Sequence, residues 1–199
     1  MKIYSPIENF PILIIEDFYS NEELEIIMKE INILEYFSLP PDQTGTAYRD
    51  GKAIKQNMGI FLDYLFLENR AQSKILSINR KIFDKNIVQL LIQKNIIWSL
   101  FEIVNLDVTL LSYYSNKDHY GSHEDFSPIT VLSYFLRDND FTGGQLYFPQ
   151  ANLEIQIKHN MCITMIGSLR HQVMPIISNN KNYSQRVCMS QFLFAIPKE

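Results

Sequence analysis

Hydrophobic positions recur with two different periods along this 199-residue chain, and the change falls near residue 105. Before it the spacing is helical. Leu24, Ile27, Met28 and Ile31 follow Ser20-Asn21-Glu22-Glu23, a capping residue with acidic residues behind it. That combination predicts a helix over about 21–34. Ile75, Ile78 and Ile82 predict a helical segment over 72–84. Ile87, Leu90, Leu91, Ile96 and Trp98 predict another over 86–103, with Asp84 placed to cap it. Pro11 to Asp17 reads as a first strand. Phe37 to Asn57, with Pro40-Pro41, Gly45 and Gly51 among polar residues, reads as a long loop holding at most a short strand. Loops of that length in compact domains often act as lids.

After residue 105 the pattern becomes a series of short β-like runs: Asp107 to Tyr114, Pro128 to Leu136, Gln145 to Phe148, Leu153 to Ile157, Met161 to Ile166, Gln172 to Ile177 and Arg186 to Ile196. Turn signals separate them, among them Asp138-Asn139-Asp140, Gly143-Gly144, His159-Asn160 and Asn179-Asn180. Many short strands at this spacing predict an antiparallel sandwich or barrel. The expectation is one α+β domain over 1–199. Its strand, helices and lid loop would occupy about 1–104 and its β-core about 105–199.

Composition narrows the class. With 46% hydrophobic and 13% aromatic residues, the chain is neither disordered nor fibrous. Eighteen Lys and Arg against 22 Asp and Glu leave a net charge of −4. No basic run exceeds two residues, so a duplex-binding face is not expected. The apolar stretch Phe10 to Ile15 is too short for a secretory signal, and no run approaches the ~20 apolar residues of a membrane span. A soluble, cytoplasmic protein is the expectation. Cys162 and Cys188 sit in apolar runs without a near-spaced partner and read as buried free thiols.

The candidate chemistry starts at His123-Glu124-Asp125. On an extended segment, side chains two residues apart point to the same side, so this imidazole and carboxylate can share a metal. His171, after the turn Gly167-Ser168, would supply a third ligand from another strand. Two histidines and one carboxylate cover one face of an octahedral ion and leave three positions open, which suits non-haem Fe(II) oxygen chemistry. Arg186 opens the last apolar run. An arginine there is costly unless an anion pairs with it, and its planar fork matches the far carboxylate of a dicarboxylic acid.

Tyr114, Tyr120-Gly-Ser-His123-Glu-Asp125, Thr130 to Leu136, Gly143-Gly144-Gln-Leu-Tyr-Phe-Pro149, His171-Gln-Val-Met-Pro175 and Arg186 together resemble the Fe(II)/2-oxoglutarate-dependent dioxygenases, in particular their prolyl 4-hydroxylase-like branch. The resemblance covers about residues 105–196. It implies a double-stranded β-helix (jelly-roll) core with N-terminal supporting helices, and Fe(II) held by His123, Asp125 and His171. It also implies 2-oxoglutarate on Arg186 with the Tyr114 hydroxyl as a second contact, O2 as co-substrate, and release of succinate and CO2. Halogenating relatives replace the carboxylate ligand with a small residue. Asp125 therefore favours hydroxylation. The gap from His171 to Arg186 is longer than is common in this branch, because Ser178 to Gln185 reads as a polar hairpin containing Lys181.

Other residues have plainer readings. His119, in Ser115 to Ser122, which reads as a polar loop, reads as solvated, and His159 as part of a turn. Tyr120 and Tyr134 suit either a pocket wall or packing, while Tyr48, Arg49 and Lys52 could close over a substrate. The favoured function is an oxygenase hydroxylating a C–H of a small molecule, such as an amino acid or biosynthetic intermediate. A peptidyl (prolyl-type) hydroxylase is the alternative. From a different class comes a non-catalytic metal-binding or sensing jelly roll, against which the complete triad with Arg186 speaks.

Overall fold

In the computed structural model, which describes residues 1–179 and 183–197, strands β1 (Lys2–Tyr4) and β2 (Ile12–Glu16) lead into helix α1 (Asn21–Leu34). Three two-residue strands follow, β3 (Tyr48–Arg49), β4 (Lys52–Ala53) and β5 (Lys55–Gln56), then β6 (Met58–Phe61). Helices α2 (Leu62–Leu65), α3 (Lys74–Ile78) and α4 (Lys85–Ile92) come next. The β-core comprises β7 (Leu106–Tyr114), β8 (His119–His123), β9 (Ile129–Leu136), β10 (Phe141–Gly143), β11 (Leu146–Phe148), β12 (Leu153–Ile155), β13 (Met161–Ile166), β14 (His171–Val173), β15 (Ile176–Ser178) and β16 (Arg186–Phe194).

Two antiparallel sheets make a jelly roll. The larger runs β1-β2-β13-β9-β16-β7-β6 and the smaller β12-β11-β14-β8-β5, with β10–β15 and β3–β4 as separate ribbons. Side chains alternate across the large sheet, so each strand serves two cores. Leu13 and Ile15 of β2, Val131 and Phe135 of β9, and Val187 and Met189 of β16 face the helices, where they pack with Ile27, Ile31 and Trp98. Ile12, Ile14, Leu132, Tyr134 and Cys188 face the small sheet. Burial on both faces explains why these strands read as nearly continuous apolar runs.

Helix α1 has the predicted bounds. Its capping box is complete: Ser20 Oγ accepts the Glu23 amide proton and the Glu23 carboxylate accepts from Ser20 N. Truncating its buried Ile27 to Ala is worth about 2–5 kcal/mol of stability. The later helical segments are shorter than their periodicity suggests. The segment expected over 72–84 is α3 followed by a 3-10 stretch, Asn79–Phe83. The one expected over 86–103 ends at Ile92, and a 3-10 stretch, Ile96–Glu102, restarts after Asn95 caps Ile97 N. Asp84 does cap α4, accepting from the amides of Asn86 and Ile87.

Three β expectations need correction. The stretch Ser115 to Ser122 is not only a loop, because β8 occupies its second half. Gln172 to Ile177 is two strands in different sheets, divided at Met174-Pro175, where proline has no amide to continue a ladder. The Phe37 to Asn57 loop carries three short strands rather than one. The Asn179-Asn180 turn and Lys181 extend outside the described residues. Among the described residues no helix is long and apolar enough to cross a membrane.

Candidate metal and anion site

β8 and β14 run side by side with His123 directly opposite His171. Each ring is held through its Nδ1, which donates to the carbonyl two residues back: Gly121 O at 2.8 Å and Leu169 O at 2.9 Å. A carbonyl only accepts, so both rings carry their proton on Nδ1 and present a bare Nε2 to the cavity. His123 Nε2 lies 3.8 Å from Asp125 Oδ1, and His171 Nε2 lies 3.8 Å from Asp125 Oδ2. One ligand atom from each of the three residues lies within 4.8 Å of the others.

Burial, and secondarily His171, pushes the His123 imidazole down to about 3, which keeps its lone pair free. Burial pushes the Asp125 carboxyl up, against the opposing pull of His171 and of its Thr130 hydrogen bond. Thr130 Oγ1 donates to Asp125 Oδ2 at 2.8 Å, so the 2.8 Å contact between Ser127 and Thr130 has Ser127 as donor. The backbone fixes the same turn. Asp125 N donates to Gly167 O at 2.8 Å, and a Cβ on Gly167 would stand 1.9 Å from Ser127 O. Only glycine fits there.

Arg186 opens β16 opposite Tyr114 and is 0% exposed. Its Nη1 donates to Gly144 O. Its Nε and Nη2 have no hydrogen-bond partner. The guanidinium carbon sits 4.2 Å over the Tyr114 ring and 5.6 Å from that of Tyr134, and no carboxylate pairs with it among the described residues. Asp107 at the far end of β7 shows the contrast. That carboxylate is also buried, yet Arg80 (2.5 Å), Arg70 (3.1 Å) and Gln191 (3.0 Å) all donate to it. Arg186 is thus a buried charge without a counterion among the described residues, and an external carboxylate would satisfy its two free donors.

A cavity of about 430 Å³ is lined by His123, Asp125, His171, Tyr114, Tyr120 and Tyr134 among others, and the Arg186 guanidinium packs against the Tyr114 ring of that wall. No protein-family model matches the sequence, and no curated protein does. Solved structures do match. A prolyl-4-hydroxylase of Pseudomonas putida superposes with a TM-score of 0.64 at 12% identity, over 95% of each chain. A Trichoplax adhaerens prolyl hydroxylase in complex with a hypoxia inducible factor peptide gives 0.65 at 15%, over 94% of this chain and 84% of that one. EctD from S. alaskensis, with 2-oxoglutarate and 5-hydroxyectoine, gives 0.58 at 14%, over 93% and 72%. The chain has the prolyl 4-hydroxylase fold.

Within this prolyl 4-hydroxylase fold, the remaining sequence candidates separate clearly. Tyr134 lines the cavity and its buried hydroxyl has no partner. Tyr120 stacks on His123, and its hydroxyl accepts the Ala47 amide proton at 3.0 Å. Tyr48 and Arg49 stand exposed on the β3–β4 ribbon with Lys52, and none of them lines the cavity; the neighbouring Thr44 to Ala47 do. His119 bonds only its local backbone, and His159 bonds the backbone of Leu136. Sequence reasoning gave Ser127 and Thr130 no role at the site and read Gly167 only as part of a turn. A hydroxyl in an otherwise apolar strand, at an inward-facing position, was the available signal for Thr130.

Proposed function

We propose that the protein is an Fe(II)- and 2-oxoglutarate-dependent oxygenase that hydroxylates an unactivated C–H of a small organic molecule: R–H + O2 + 2-oxoglutarate → R–OH + succinate + CO2. One observation carries this reading. An open-sided His-Asp-His set lines a cavity whose wall includes Tyr114 and Tyr134, and those two rings pack against a buried arginine with two unpaired donors. His123, Asp125 and His171 would hold the iron, which supplies oxygen activation when bound. Arg186 would grip the distal carboxylate of 2-oxoglutarate, with Tyr114 beneath its guanidinium. The Nδ1–carbonyl bonds orient both imidazoles, and Ser127 and Thr130 orient the carboxylate, so the chain presents its ligands without reorganisation.

A cavity of about 430 Å³ is of small-ligand size. A peptidyl substrate is the second reading, favoured by the likeness to the Trichoplax enzyme solved with a peptide. The decisive experiment is an anaerobic titration of the apoprotein with Fe(II) and 2-oxoglutarate, watching for the visible charge-transfer band of the chelate. The band should form in the native protein, vanish in His171→Ala and weaken in Arg186→Ala. A native protein that binds Fe(II) without the band overturns the reading.

A further inference from the structure

The cavity does not end at the triad. β7 and β16 pair over nine positions. Tyr114, then Cys188 and Ser112, then Ser190 and Leu110, then Phe192 and Val108, with Phe194 last, form the cavity floor, and Arg186, the register partner of Tyr114, begins the same ladder. Polarity falls along this ladder. A guanidinium and a phenol lie at one end, a thiol and two hydroxyls lie in the middle, and aromatic and aliphatic carbon lies at the other end. Thr130, whose hydroxyl holds Asp125, is the register partner of Phe192. Asp125 is therefore held beside the Phe192 rung, three rungs from Arg186, and the Phe192–Phe194 end extends away from Arg186.

Apolar side chains wall that end. Phe61 at the close of β6 and Tyr64 of α2 pack with ring centroids 5.2 Å apart, and both line the cavity. Phe126, next to Asp125, is fully exposed at its rim (102%), and Tyr64 is 73% exposed. Aromatic faces left open at a cavity mouth favour a ligand that covers them with apolar surface. No Lys or Arg lines the cavity among the described residues, so a ligand carboxylate placed there finds no cation. The carboxylate of Glu124, which also lines it, is already held by Arg170 at 3.0 and 3.2 Å and is not free for a ligand ammonium.

We propose that this end takes an uncharged apolar group, an aromatic ring or a branched alkyl chain, carried by a substrate whose neighbouring amine and carboxylate are absent or blocked. A free amino acid is the wrong class. That the bound molecule is oxidised, beyond being held, rests on the oxygenase reading above. The inference concerns the mouth alone and uses no property of the metal.

Matched probes test it: N-acetyl-L-phenylalaninamide against L-phenylalanine, and N-acetyl-L-leucinamide against L-leucine. Each is titrated calorimetrically into the protein loaded with Fe(II) and 2-oxoglutarate without oxygen. The blocked probe should bind at least tenfold more tightly than its zwitterion, and Phe192→Ser should remove most of that preference. Phe126→Ser, a change at a fully exposed position, should weaken the blocked probe about threefold and cannot disturb the core. Equal binding of blocked and free forms, no binding of either, or full affinity in both variants overturns the proposal. The charge-transfer band, recorded on the same samples, reports separately on the oxygenase reading. A band without the preference defeats only this proposal, and the preference without a band defeats only that reading.

Discussion

The ring of Tyr120 lies face to face on the imidazole of His123, centroids 3.6 Å apart and planes 14° apart. The same tyrosine's hydroxyl takes the Ala47 amide proton, so one side chain joins a proposed metal ligand to the segment walling the cavity. The two contacts separate by mutation. Tyr120→Phe should keep metal affinity within about twofold while amide exchange at Ala47 accelerates. Tyr120→Leu should also lower metal affinity, by about tenfold, as loss of a ligand's supporting contact typically does. Metal titration alongside hydrogen exchange checks both.

Arg186 sets stability against binding. Replacing a buried, incompletely paired charge by an apolar side chain is commonly neutral or stabilising by about 1–4 kcal/mol. Arg186→Met should therefore hold or raise the thermal midpoint of the protein without 2-oxoglutarate. Its affinity for 2-oxoglutarate should fall at least about 30-fold, in line with about 2–5 kcal/mol for truncating one partner of a buried charge pair. Thermal unfolding with and without 2-oxoglutarate reads both at once. A variant that is strongly destabilised and still binds would contradict the argument.

Thr130 holds one oxygen of Asp125 and leaves the other unconstrained by it. Thr130→Val removes the donor at nearly constant volume and should weaken metal binding about 10-fold or more. Thr130→Ser restores the donor and should recover most of the affinity, whereas a role in packing alone would favour valine over serine. Competition for Mn(II) or Co(II) against a chromogenic chelator gives the measurement.

Lys55 gives a pH signature. Its ammonium donates to Thr44 O, Thr44 Oγ1 and Gly45 O, yet burial outweighs these bonds and pushes its pKa down to about 8. An unfolded lysine titrates near 10.4. Between these values the unfolded chain binds the proton and the folded chain sheds it, so this group's contribution to stability rises with pH across the window. Lys55→Met should abolish that rise. Urea midpoints at pH 7.5 and 10 for both proteins supply the difference, and an unchanged difference would discard the assignment.

Helix α1 was legible because Ser20 and Glu23 cap it and Leu24, Ile27 and Ile31 keep its period without interruption. The strands β9, β13 and β16 were legible because both their faces are covered by apolar layers. β8 was not. His119-Tyr-Gly-Ser-His123 lies with one side on the cavity, so no hydrophobic alternation marks it. The edge strands β5 (Lys-Gln) and β6 (Met-Gly-Ile-Phe) were hidden because two and four residues are too few to show an alternation. His123, Asp125, His171 and Arg186 stood out as polar groups in apolar or extended surroundings, and the structure brings the first three within reach of one ion. Phe192, Phe194 and Val108 did not stand out, because periodicity cannot distinguish a side chain facing a core from one facing a cavity.

The nine-pair ribbon of β7 and β16 has a bearing on how such a protein changes over generations. The residues proposed to grip the co-substrate and those at the mouth are successive rungs on the same two strands, each presenting its side chain independently of the next. Exchanges at Val108, Phe192 or Phe194 can reshape what the mouth admits while Arg186 and Tyr114 keep their places several rungs away. New substrates are then a few point substitutions apart, with no loop to rebuild, so sequences sharing little overall identity can diverge in what they modify while retaining one chemistry.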